Sequence, residues 1–120
     1  MRISDYLRKR IYERTGIVDC KAGNATYEEL VSSEWSLEFE RLMRARLIMG
    51  AIRYGRLRDP DKPSYDCIGA IIERARAYAE NGNREHLVDI ANLALIEFEE
   101  GMHPKGHFAA SDDSYHVEGI

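Results

Sequence analysis

From Leu87 to Phe98 every residue is apolar except Asp89, Asn92 and Glu97. The run is too long for an ordinary strand and shows no period-two alternation, so it reads as a helix. A helix apolar almost all round belongs inside a protein. A carboxylate and an amide in such a helix are costly unless a partner satisfies them. Glu85, Asp89 and Asn92 stand at i, i+4 and i+7, one stripe of one helical face, and His86 lies beside that stripe. The chain must therefore fold as a helical assembly with a polar site set into its core.

The rest of the sequence agrees with that requirement. Ser4 caps a first helix through about Arg14, stopped by Gly16, with Tyr6, Leu7, Ile11 and Tyr12 on its apolar side. Thr26 with Glu29 forms a capping box that opens a short helical turn over 27–31. The next helix starts near Ser33 or Ser36 and runs to about Tyr54. Its stripe Trp35, Phe39, Leu42, Arg46, Met49 and Arg53 follows 4-3-4-3-4 spacing. Trp35 and Phe39, with Tyr78 farther on, read as core or interface. The second half is apolar over a wide arc, which calls for contacts on two sides.

Gly55 to Pro63 reads as a loop. Ser64 caps a helix through about Glu80, with Ile68, Ile71, Ile72, Ala75 and Tyr78 on its apolar side, ended by Asn81-Gly82. Asn83 caps the apolar helix, which ends at Gly101. The fold expected is all-α: a bundle of about four helices over 1–101 and an irregular tail over 102–120 that packs on the bundle or on a neighbouring subunit. Helices this apolar are hard to bury within one small bundle, so a dimer or higher homo-oligomer is expected.

Composition narrows the partners. The net charge of −4 argues against DNA or RNA binding, for which a basic chain is usual. Arginines 41, 44, 46, 53, 56 and 58 nevertheless crowd one segment. Such asymmetry suits a small anionic ligand or a subunit contact. Cys20 and Cys67 form no CxxC pair and read as reduced thiols. No signal-peptide core and no run of eighteen apolar residues occurs, so a cytoplasmic protein without a membrane partner is expected.

Three constellations could carry chemistry. In the first, Asp89 and Asn92 either form a ligand site or pair with buried arginines to fix the packing. Glu85 and Asp89 have the one-turn spacing of oxygen ligands for a divalent cation, with Glu38 or Glu34, or Asp66 and Glu73, as partners on other helices. In the second, Arg53, Tyr54 and Arg56 combine guanidinium forks with a base-stacking ring beside Gly55. Arg46 and Arg53 lie on an apolar stripe and so need an anion, for which Asp89 itself is one candidate. In the third, His103, His107 and His116 lie near Asp112 and Asp113. Their loop setting favours a tail that closes a pocket with His107 over a zinc site.

Glu85-His86-Leu87-Val88-Asp89, followed by an apolar helix, resembles the second motif of the MazG-like all-α nucleoside triphosphate pyrophosphohydrolases. That family holds Mg²⁺ on nucleotide phosphates with a Glu-x-x-Glu and a Glu-x-x-Asp on two helices of a bundle. The resemblance places Asp89 on the family's aspartate. His86 stands where its glutamate should be, with Glu85 one residue earlier, and no Glu-x-x-Glu occurs in the chain.

The resemblance thus implies a nucleotide ligand more than hydrolysis. The expected function is a protein that binds and sequesters a nucleotide or cyclic nucleotide through Arg46, Arg53, Tyr54, Arg56, His86, Asp89, Asn92 and His107. One alternative is a divergent Mg²⁺-dependent pyrophosphohydrolase using Glu85, Asp89 and Glu38 as metal ligands. Another is a structural oligomer with no ligand.

Overall fold

The computed structural model describes residues 21–109. The expected helix over 4–14, Cys20, and Asp112, Asp113 and His116 of the tail lie outside the described residues. Among the described residues there are four α-helices: α1 (Tyr27–Ser33), α2 (Leu37–Tyr54), α3 (Cys67–Asn81) and α4 (Glu85–Glu100). No strand occurs among the described residues. The architecture is the all-α bundle that the sequence requires. Residues 37–106 form one compact unit, while α1 and residues 107–109 belong to another.

Local chemistry sets the helix ends. The Thr26 hydroxyl accepts the Glu29 N–H at 3.1 Å, the cap expected for α1. For α3 the cap is Asp66 and not Ser64: its carboxylate accepts the Gly69 N–H at 3.0 Å. The Cys67 N–H is still committed to the Tyr65 carbonyl, so the helix opens two residues later than expected. The Asp66 carboxylate folds over Gly69 into space that a Cβ there would occupy. At the other end Gly82 takes a left-handed conformation (φ 68°) and donates to the Tyr78 carbonyl, the stop that Asn81-Gly82 announces. Asn83 then serves the start of α4, its side chain accepting the Glu85 N–H at 3.1 Å.

This tight turn folds α3 and α4 into a helical hairpin. Cys67, Ala70 and Val88 are its buried apolar residues, and Asn92 is buried with them. The face of α3 turned to α4 is therefore the small-residue side. Ile68 and Ile72, assigned to the apolar side by spacing, are 51% and 46% exposed. Cysteine and alanine let the backbones approach closely where isoleucines would hold them apart.

The second main contact is α2 on α4. Met43, Leu47 and Gly50 are half-buried on the inner side of α2, and no residue of this helix is fully buried. Trp35 and Phe39 are exposed and Tyr78 is half-buried, so none belongs to the buried core described here.

Candidate functional site

The stripe Glu85–Asp89–Asn92 faces α2, as its spacing demands. Arg46 of α2 bridges it: Nε donates to Asp89 Oδ1 at 2.9 Å, and Nη2 meets Glu85 Oε1 at 3.0 Å. One turn farther along α4, the Asn92 side-chain amide donates to the Met43 carbonyl at 3.1 Å. Arg74 of α3 approaches the other oxygen of Asp89, Oδ2, at 3.8 Å. Three helices thus meet on one carboxylate, with a guanidinium against each of its oxygens.

The Asp89 side chain is only 17% exposed, against 43% for Arg46 and 46% for Arg74. The acid is sunk and the arginines reach from it towards solvent. Arg46 spends two of its nitrogens on Glu85 and Asp89, and Arg74 has Nε near Asp89. Among the described residues the remaining guanidinium donors of both arginines are open to an outside acceptor. Asn92 adds a polar atom of its own, because its Oδ1 is buried without a hydrogen-bond partner. The contact of its amide nitrogen with a carbonyl fixes which end is which.

His86, placed beside the stripe by the sequence, looks the other way. Its Nε2 lies 3.4 Å from Asn81 Nδ2, at the α3–α4 turn. The Asn81 oxygen accepts the Asn83 N–H at 2.8 Å, so the nitrogen of that amide faces His86 and donates to Nε2. The other ring nitrogen, Nδ1, is buried without a hydrogen-bond partner among the described residues.

Within the unit 37–106 other candidates are not brought to Asp89. Arg53 lies seven residues beyond Arg46, about 10 Å along α2, with Tyr54 (73% exposed) and the exposed Arg56 beyond it. Gly55, with φ 98°, turns the chain there, and Lys62 Nζ holds its carbonyl at 3.0 Å. Arg58 pairs with Glu100 at 2.9 Å and Glu99 at 3.6 Å, tying this loop to the end of α4. His107 is exposed and belongs to the other unit.

The donor set does not suit a divalent metal. Glu85 and Asp89 are both engaged by Arg46, whose charge repels a cation. Glu38 stands eight residues from Arg46, about 12 Å back along α2. Among the described residues no group of three or more His, Cys, Asp or Glu could hold a metal ion.

Arg74 is the residue that spacing alone did not single out. Its signal was present, since it continues the α3 stripe Cys67–Ala70 by one more turn. Cys67 carries a free, buried thiol. Burial pushes its thiol above the ordinary range, and Glu97 and Asp66 nearby add to the shift. No helix of the described residues is long and apolar enough to cross a membrane. Compared with known proteins, the chain matches no protein family, no curated protein and no solved structure.

Proposed function

We propose that this chain binds a nucleotide, linear or cyclic, and holds it without cleaving it. One observation carries the reading: Arg46 and Arg74, from two helices, are preset by a sunken aspartate with guanidinium donors left over. Phosphate oxygens are the natural acceptors for such forks. Asp89 and Glu85 act here as positioning residues, holding the arginines in place before the ligand arrives. Asn92, buried one turn farther along α4, supports the site by holding α2 through the Met43 carbonyl. Tyr54, with Arg53 and Arg56 at the end of α2, supplies a second basic and aromatic surface on the same helix.

The divergent pyrophosphohydrolase is the weaker reading, because two of its three metal carboxylates, Glu85 and Asp89, are engaged by Arg46. A ligand-free structural oligomer gains support from the ion pairs that Asp89 already makes. In the reading preferred here the module works in the cytoplasm as a homo-oligomer.

The test is an incubation of the full chain with a panel of cyclic and linear nucleotides, with and without Mg²⁺. Mass spectrometry then follows the free pool and what denaturation releases. The expected result is an intact nucleotide recovered from the denatured protein, with the free pool unchanged. New monophosphate in the free pool would replace binding by hydrolysis, and no release at all would leave the ion cluster a structural one.

A further inference from the structure

The outer side of α2 has no covering in the unit 37–106, and its pattern is specific. Glu38, Arg41, Ala45, Ile48 and Ile52 follow 3-4-3-4 spacing, the seam of a helix that pairs with another helix. All five are exposed, with Ile48 at 62% and Ile52 at 79%. Met49 flanks them at 48%. The inner side, with Met43, Leu47 and Gly50, lies opposite and faces α4. A helix apolar on both sides, with one side open, leaves a permanent need and not an occasional one. The partner that meets a permanent need is one made with the chain itself.

Charge selects the orientation. The first turn of α2 carries Glu38 and Glu40, and its end carries Arg53, followed by Arg56. Two copies of α2 laid antiparallel bring the acidic start of each against the basic end of the other, at both ends at once. Parallel copies would set like charges together. An antiparallel register centred between Ala45 and Ile48 places Glu38 within reach of Arg53 and Arg56, Arg41 opposite Ile52, and the small Ala45 where the helices cross most closely.

We infer that two copies of this chain pair through the outer face of α2, antiparallel, about a two-fold axis between Ala45 and Ile48. The inference rests on the homo-oligomer part of the proposed function and not on the ligand. The pairing lies on the side of α2 opposite the face packed on α4. It would set two Arg46–Asp89 clusters on one assembly, related by the two-fold axis.

Sedimentation velocity of the full chain reads the state, and Ile48→Glu tests the face. The expected result is a dimer whose dissociation constant rises by about 100-fold or more in Ile48→Glu, since the apolar contact nearest the axis is replaced by two carboxylates that face each other across it. A second measurement stands even where that variant fails to fold. In a Cys20→Ser background, Arg41→Cys and Ile52→Cys chains are mixed and mildly oxidised. Antiparallel pairing gives a mixed disulfide that neither variant gives alone, because like positions then lie about 16 Å apart along the axis.

A monomer at every concentration overturns both this pairing and the oligomeric reading. A dimer that survives Ile48→Glu and yields no mixed disulfide keeps the oligomer and overturns the α2 face. Self-crosslinks from each variant alone overturn the antiparallel orientation.

Discussion

The α3–α4 hairpin and α2 are held by different physics. The hairpin has a cap at each end of α3, a three-residue turn stitched by Asn81 and Asn83, and a small dry contact of Cys67, Ala70 and Val88. Helix α2 has no fully buried residue; its polar ties to α4 are a guanidinium on two carboxylates and an amide on a carbonyl. The first kind of contact is local, non-directional and built from area. The second is directional, acts across 39 to 49 residues of sequence, and presents charge to solvent. A ligand that competes for or adds to those donors acts on α2 first, and this is why the candidate site lies there.

Substitutions can sharpen or break that contrast. The largest effect belongs to the hairpin: Val88→Asp buries an unpaired charge against Cys67 and Ala70 and should cost about 4 kcal/mol or more, removing a cooperative transition in urea. Asp89→Ala comes next. It orphans Arg46 and Arg74 and should cost ~1–3 kcal/mol. Hydrogen exchange should show the loss falling first on α2 amides while α3 and α4 stay protected. Equal loss in all three helices would break the distinction between the two regions.

Caps give smaller effects. Asp66→Ala should cost about 1 kcal/mol of thermal stability, and Ser64→Ala almost nothing, because the cap lies at Asp66. The smallest effect is at alkaline pH. The Cys67 thiol is raised in the fold, so the folded state keeps its proton after the unfolded chain has lost it. Its contribution is fully present below the unfolded value, about 8.5, and is lost as pH rises through the folded one. Stability should therefore slip above about pH 8.5, and Cys67→Ala should flatten that slope. Slow alkylation of Cys67 in the native state would accompany it.

The helices were legible because their signals are local: Thr26 before Glu29, Gly82 after Asn81, and apolar periodicity from Leu87 to Phe98. Asp89 and Asn92 were legible as a site because polar atoms in an apolar helix demand partners, and Arg46 was already one candidate partner for Asp89. The inner face of α3 was not legible. Counting large apolar residues points to Ile68 and Ile72, whereas close helix approach selects Cys67 and Ala70. Arg74 escaped for the same reason, since it belongs to the small-residue stripe. The cap of α3 slipped from Ser64 to Asp66 because both are good caps, and only the Tyr65 carbonyl, which holds the Cys67 N–H, decides between them.

The most direct test is an equilibrium titration of the full chain and of Arg74→Gln with the nucleotide recovered from the panel. Arg74 is half-exposed and lies 3.8 Å from Asp89, while the short ion pair between α2 and α4 is made by Arg46. The account predicts that Arg74→Gln weakens binding by tenfold or more, on the order of 1.4 kcal/mol, at an unchanged melting temperature. Unchanged affinity, or affinity lost only together with stability, would contradict it and leave the arginine pair a brace between helices.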